Sequence, residues 1–221
     1  MKAIDVTSRI NGPHQGQPVV AAGATLDEAK AVMITVHGRG ATAESILQLS
    51  SEFYHPDMAY LAPQASGNTW YPYSFLASMQ QNEPGISSGL QALADVIEQT
   101  QAAGVPPEKT ILMGFSQGAC LTVEFLTRHP KKYGGGLIFT GGLIGPDVDP
   151  SRYTGSLDHT PIFLGSSDID PHVPLDRVND TETILTQLGA TVDKRIYPNM
   201  PHTINHNELS FAKQMVIKLT S

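Results

Sequence analysis

The sequence has almost no cysteine and no long uninterrupted run of apolar residues. Cys120 is the only cysteine among 221 residues, so an intrachain disulfide is impossible and a disulfide-built secreted scaffold is excluded. No apolar segment approaches the length that crosses a bilayer, and the opening residues MKAIDVTSRI lack the apolar core of a signal peptide. We therefore expect a soluble cytoplasmic protein without stable membrane insertion.

Positive charge is also scarce. The chain has 14 Lys and Arg against 21 Asp and Glu, which gives a formal net charge of −7 at pH 7. This balance opposes binding to phosphate backbones, so we expect no nucleic-acid partner. Hydrophobic residues make up 40% of the chain, enough for a sizeable core, and its length fits one globular domain over 1–221.

Short apolar runs alternate with segments of helical spacing. The clearest predicted strands are 31–36, 110–115, 136–141 and 161–165, and weaker ones are 58–62 and 191–197. The predicted helices are 43–53, 86–104, 117–130, 175–188 and 207–219. This alternation predicts an α/β fold: a mostly parallel sheet with helices on both faces and ligand sites at the carboxyl ends of its strands.

A candidate nucleophile follows the predicted strand 110–115. The segment GFSQG places Ser116 between a strand and a helix, the context of a nucleophile elbow. Strand and helix approach closely in such a turn, which explains Gly114 and Gly118, and the helix N-terminus favours developing negative charge. The alternative is a glycine-lined turn with a helix-capping serine. Cys120 has apolar neighbours, and we interpret it as a small buried hydrophobe.

A candidate oxyanion hole follows the predicted strand 31–36. A tetrahedral intermediate needs two backbone N–H donors, and Arg39 in HGRGA and Gln117 after the serine fit these roles. The alternative for HGRGA is a tight glycine turn. The Arg39 side chain could meet an anionic substrate group or pair with an acidic neighbour. His37 precedes the serine, whereas this fold places its base last, so we interpret His37 as a loop-bracing imidazole.

Two later loops supply an acid and a base. The segment SSDIDPHVP offers both Asp168 and Asp170, and position in the loop does not choose between them. After the strand 191–197, His202 lies in the loop where a base is needed, whereas His206 is close to a helix start that disfavours a cation. We therefore expect His202 to be the base. The spacing H-x-x-x-H lacks a zinc-peptidase glutamate, and no metal is expected.

With these segments in order, the chain resembles the phospholipase/carboxylesterase family, which includes acyl-protein thioesterases and small bacterial carboxylesterases. The resemblance rests on HGRGA, APQASGNTWYPYSF, GFSQGACL, SSDIDPHVP and YPNMPH. It implies the α/β-hydrolase fold, with Asp170 as the acid of D-x-x-V-P and His202 as the base of Y-P-x-x-x-H. Asp168 would then cap a loop. Two departures are SS in place of the usual H-G before the acid, and Pro201 in place of a small residue before the histidine.

An aromatic segment precedes the long helix. Its side chains either line a substrate pocket or pack against the core, and our candidates for substrate binding are Trp70, Tyr71, Tyr73 and Phe75. The sequence thus predicts a serine hydrolase that cleaves small-molecule carboxylic esters of short-to-medium acyl groups through an acyl-enzyme, without a cofactor. The alternatives are a thioesterase or lysophospholipase with the same triad, and a non-catalytic ligand-binding protein. Homodimers are common among soluble enzymes in general, so a homodimer is possible.

Overall fold

A computed structural model describes residues 1–4 and 12–221 of the chain. The strands of the described residues are β1 Lys2–Ile4, β2 Val19–Gly23, β3 Ala31–Val36, β4 Met58–Pro63, β5 Thr110–Phe115, β6 Gly135–Phe139, β7 Pro161–Ser167 and β8 Thr191–Tyr197. The α-helices are α1 Ala43–Leu47, α2 Gly85–Ala102, α3 Gln117–Arg128, α4 Leu175–Gln187 and α5 His206–Thr220.

The strands form one 8-stranded sheet in the order β1-β2-β4-β3-β5-β6-β7-β8. The strands from β4 to β8 in this order run parallel, whereas β1 and β2 are antiparallel to their neighbours. Alternate residues of β3 enter two separate apolar cores, one shared with α2, α3 and α4 and the other with α1 and α5. The predicted mostly parallel sheet with helices on both faces is confirmed.

Two parts of the sheet and one helix differ from the sequence prediction. β1 and β2 were not predicted, because β2 is a short run of small residues without the alternation that indicates a half-buried strand. The predicted helix 43–53 is an α-helix only to Leu47 and continues as a 3-10 helix over Gln48–Phe53. The predicted strand 136–141 ends at Phe139, because Thr140 has a φ of 56°.

In the described part of the chain, no helix combines the length and the apolar character that a membrane crossing needs.

The parallel order of the strands places the candidate functional segments together. The carboxyl ends of β3, β5, β7 and β8 lie at one edge of the sheet, and each is followed by one of the segments that the sequence analysis singled out.

Candidate active site

The turn between β5 and α3 holds Ser116 in a strained backbone conformation. Its φ of 56° and ψ of −121° lie outside the regions that most residues adopt. A Cβ atom on Gly114 would overlap the carbonyl oxygen of Gly118, and one on Gly118 would overlap the carbonyl oxygen of Val36. Both glycines are therefore required by the close approach of strand and helix. Ser116 lies in this turn, at the carboxyl ends of the parallel strands.

The side chains of Ser116, His202 and Asp170 form one hydrogen-bonded chain. His202 Nε2 lies 2.8 Å from Ser116 Oγ, and His202 Nδ1 lies 2.7 Å from Asp170 Oδ2. Asp170 Oδ1 accepts hydrogen bonds from the backbone amides of His172 at 2.8 Å and Val173 at 2.9 Å. Three loops that are distant in sequence thus bring together a hydroxyl, an imidazole and a carboxylate.

The environment of Asp170 favours its ionised form. Burial by itself would raise the pKa of Asp170, but hydrogen bonds from His202 and from the amides of His172 and Val173 outweigh burial and lower the pKa below its usual value. The Asp170 side chain is fully buried, whereas His202 remains 19% exposed. Asp170 thus provides a fixed negative charge next to the imidazole of His202, which solvent and small molecules can reach.

The structure separates the two acids and the two histidines that the sequence offers. Asp170 bonds His202, whereas Asp168 Oδ1 accepts a hydrogen bond from the backbone amide of Asn199 at 2.8 Å. This bond joins the loop after β7 to the loop after β8. His206 is the exposed first residue of α5 and is not a member of the hydrogen-bonded chain.

The residues expected to form the oxyanion hole lie on the same cleft as Ser116. Gly38, Arg39 and Gln117 all line this cleft, and Gly40 takes a φ of 77° in the turn that follows Arg39. The Arg39 guanidinium donates to the carbonyl oxygens of Pro72 at 2.8 Å and Tyr73 at 2.6 Å. Its charge is therefore directed to the main chain of the aromatic segment and not to an acidic neighbour.

His37 braces the loop that carries Arg39. It is fully buried, its Nε2 accepts a hydrogen bond from the backbone amide of Ala65 at 3.1 Å, and its Nδ1 lies 2.8 Å from the carbonyl oxygen of Gly38. Burial lowers the pKa of His37, which favours a neutral ring that donates from Nδ1.

The side chain of Gln117 has a positioning role that the sequence did not indicate. Its Oε1 accepts from the backbone amide of Trp70 at 2.9 Å, and its Nε2 donates to the carbonyl oxygen of Tyr71 at 2.8 Å. The residue after the nucleophile therefore holds the start of the aromatic segment. A glutamine side chain in a sequence gives no sign of which distant backbone groups it will meet.

The cleft around Ser116 has a volume of about 520 Å³ and an aromatic wall. Tyr71, Tyr73 and Phe75 line it as the sequence suggested, together with Phe115, His172 and Val173. Trp70 is not among the residues that line the cleft, and it takes the other placement expected for this segment, packing against the core. Its ring is fully buried and donates a hydrogen bond to the carbonyl oxygen of His37 at 2.9 Å, because an indole N–H in a core requires an acceptor.

Two rings flank His202 within the cleft. The Phe115 ring lies 5.2 Å from the His202 ring, and the His172 ring lies 4.8 Å from it in an edge-on arrangement. Cys120 also reaches the cleft, but burial raises the pKa of its thiol to about 12, so it stays protonated at neutral pH.

The loop of His202 is anchored at the start of α5 by a buried capping box. Asn205 Oδ1 accepts from the backbone amides of Asn207 and Glu208, and Glu208 Oε2 accepts from the backbone amide of Asn205 at 2.8 Å. Glu208 is fully buried, and its Oε1 has no hydrogen-bond partner among the described residues.

Glu208 makes stability depend on pH. Burial raises its pKa from 4.5 to about 7, against the opposing hydrogen bond from Asn205. Between these two pKa values the folded protein keeps a proton that the unfolded chain has released. The contribution of Glu208 to stability is therefore complete below its pKa in the unfolded chain, and it is lost as the pH rises through its pKa in the folded protein. We expect the free energy of unfolding of Glu208→Gln, relative to that of the wild type, to rise by about 2 kcal/mol from about pH 5 to about pH 8. Urea unfolding at the two pH values measures this change. Exposed Glu52→Gln serves as the control, and an equal difference at both pH values would contradict the expectation.

The sheet order, with a serine elbow between a central parallel strand and its helix, is that of an α/β hydrolase. The sequence model described as Phospholipase/Carboxylesterase matches residues 16–220, so the chain belongs to this family and the predicted resemblance is confirmed.

Relatives of known structure or name agree with this assignment. The phospholipase/carboxylesterase structure from Dyadobacter fermentans is 41% identical, covers 94% of this chain and 99% of that chain, and superposes with a TM-score of 0.89. Carboxylesterase SOBER1 of Arabidopsis thaliana is 24% identical over 205 residues, 85% of this chain and 90% of its own. Acyl-protein thioesterase 1 of Kluyveromyces lactis is 28% identical over 211 residues, 86% of this chain and 92% of its own. The chain spans about half the length of two further plant relatives, probable carboxylesterases of Arabidopsis thaliana at 52% and rice at 48%.

Proposed function

We propose that the protein is a serine hydrolase that cleaves carboxylic esters of small or short-to-medium acyl groups through an acyl-enzyme. The observation that carries this proposal is the hydrogen-bonded chain from Ser116 Oγ through His202 to Asp170, with distances of 2.8 and 2.7 Å. A serine hydroxyl becomes an effective nucleophile when an adjacent imidazole accepts its proton, and the buried carboxylate stabilises the imidazolium that results.

The reaction proceeds in two steps at this site. Ser116 Oγ attacks the ester carbonyl carbon while its proton moves to His202 Nε2, and the tetrahedral intermediate then expels the alcohol, which takes that proton from His202. A water molecule, deprotonated by His202, attacks the acyl-enzyme in the second step, and the acid leaves as Ser116 regains its proton. Asp170 keeps the proton of His202 on Nδ1 throughout, so that Nε2 is free to accept.

The backbone amides of Arg39 and Gln117 are proposed to hold the negative oxygen of the intermediate. Support comes from their position beside Ser116 on the cleft and from Gln117 being the first residue of α3, where amide groups lack partners within the helix. The bonds from Arg39 to Pro72 and Tyr73 and from Gln117 to Trp70 and Tyr71 hold these two residues in place before substrate binds.

The cleft supports small ester substrates. Its volume is within the range of sites for small molecules, and Tyr71, Phe75 and Phe115 offer apolar contact to an acyl or aromatic group. Tyr73 is 57% exposed at the rim, which leaves the entrance open to solvent. A small-molecule ester is therefore the proposed substrate, and no cofactor is required for the chemistry.

Covalent labelling tests the nucleophile. A fluorophosphonate is expected to modify the wild type once per chain, with the added mass on the peptide that contains Ser116, because only an activated serine attacks this reagent. Ser116→Ala should show no labelling while it keeps the wild-type circular dichroism spectrum. A folded wild type that does not react would favour the alternative of a ligand-binding protein on the hydrolase fold.

The leaving group is tested separately. The triad acts on oxygen and sulfur esters alike, and one named relative is an acyl-protein thioesterase, so a thioesterase or lysophospholipase is the second candidate. Matched oxygen and sulfur esters of the same short acyl group are expected to give the higher kcat/KM for the oxygen ester after correction for their uncatalysed rates. A clear preference for the thioester or for a lysophospholipid would replace the proposed substrate class but leave the triad in place.

A further inference from the structure

The last strand of the sheet leaves one edge without a partner strand. β8 pairs with β7 over its whole length and ends the strand order, so its other edge faces away from the sheet in the described structure. The opposite end of the sheet is β1, with only 3 residues. An edge of 7 residues such as β8 offers a row of backbone donors and acceptors to another strand.

The contacts of the charged side chains on β8 show which face of the sheet each one lies on. Arg195 faces α5, since its guanidinium bonds Asn207 at 3.0 Å and covers the Phe211 ring at 4.0 Å. Asp193, two residues earlier on the same face, lies 3.2 Å from Arg195. The Asp193 and Arg195 side chains remain 47% and 39% exposed, so each can meet a further opposite charge. Lys194 faces α4 and pairs with Glu182.

Two copies of β8 have complementary charges in one register of antiparallel pairing. Two β8 strands related by a twofold axis through Lys194 place Asp193 opposite Arg195 of the partner subunit, and this contact occurs twice. A register centred on Asp193 or on Arg195 would instead place like charges directly opposite each other. The favourable register also places two Lys194 residues opposite each other on the other face, where Glu182 of each chain reduces their repulsion.

An apolar groove lies beside the same edge and on the same face. Its volume is about 380 Å³, and it runs between the starts of β7 and β8 and helix α5. Its apolar lining consists of Pro161, Ile162, Phe163, Val192, Phe211, Met215 and Leu219. A paired strand edge alone buries too little surface for a stable complex, which needs about 800 Å² from each partner, and this groove extends the contact with apolar area.

We infer that β8 and the groove beside α5 form an interface with a second copy of this chain, which makes the sheet continuous across two subunits. Isolated charges on an edge strand usually oppose pairing. Here, however, the charges on the face of the groove are complementary to those of an identical strand. A second copy of this chain is therefore favoured over an unrelated strand. The groove adjoins Pro161 and Thr191 at the starts of their strands, whereas the cleft follows the strand ends, so pairing leaves the cleft open.

Charge reversal provides the test, with mass measured by light scattering over a concentration series. The wild type is expected to give twice 23.7 kDa. Asp193→Arg and Arg195→Asp should each weaken the dimer by about tenfold or more, because each places like charges in contact. An equal mixture of the two variants should recover the dimer, since every cross-strand pair in the mixed species has opposite charges.

Two controls make the result decisive. Glu52→Arg changes net charge as Asp193→Arg does, but at an exposed position outside the interface, and it should leave the dimer intact. Fluorophosphonate labelling of both β8 variants should match the wild type and show that they are folded. A monomeric wild type, two variants that remain dimeric, or a mixture that stays monomeric would each overturn the inference.

Discussion

Replacing His202 by alanine is expected to lower kcat for ester hydrolysis by about 10⁴- to 10⁶-fold, because the base and the nucleophile act as a unit. The substitution removes the group that lies 2.8 Å from Ser116 Oγ and leaves the hydroxyl at its ordinary, weakly nucleophilic state. The ring is partly exposed at the cleft, so its loss should change the unfolding temperature little. Steady-state rates on a short-chain aryl ester, together with thermal unfolding, measure both effects.

The chain supplies a matched control for this experiment. His206 is the first residue of α5, directly after the connection that carries His202, and lies outside the hydrogen-bonded chain. His206→Ala should therefore keep a rate within a few-fold of the wild type, as a surface substitution does. Comparable losses in both variants would mean that the connection, and not the imidazole of His202, determines activity.

Asp170→Asn is expected to lower kcat by about 10⁴-fold with little change in fold. The asparagine keeps the shape and can still accept from the amides of His172 and Val173 through Oδ1. Its NH₂ group, however, would donate to His202 Nδ1. This reverses the tautomer, so that Nε2 carries the proton and cannot accept one from Ser116.

Asp168→Asn is the corresponding control, since an amide oxygen can still accept from Asn199. It should retain nearly wild-type kcat. The pair of variants also decides which carboxylate is the acid, because a large loss in Asp168→Asn with an active Asp170→Asn would reverse the proposed roles. Both rates should be measured above pH 7, where ordinary carboxyl groups are ionised.

The sheet could be predicted well because its central strands are buried on both faces. Runs such as 31–36 and 110–115 are mostly apolar, and the structure buries every residue of β3. The turn at Ser116 was equally clear, since two glycines at fixed offsets reflect a close contact that occurs within a few residues. The edge strands were harder, because β2 has neither a continuous apolar run of useful length nor alternation.

The parts of the site that sequence did not predict depend on contacts between distant segments. Two aspartates two residues apart look alike in a loop, and only the family pattern favoured Asp170 before the structure placed it against His202. The surroundings of Trp70 and Phe115 depend on distant contacts in the same way. The indole finds its acceptor at His37 in the core, while the ring next to Ser116 faces the cleft.

The two hydrogen bonds of Arg39 have a consequence for how the cleft meets a substrate. By joining the loop after β3 to the main chain of Pro72 and Tyr73, the guanidinium fastens one wall of the cleft to the other. The conformational entropy lost in ordering these walls is thus a part of folding and does not recur with each arriving molecule. Substrates are selected by a shape that exists beforehand, and poor fit is not corrected by movement of this wall.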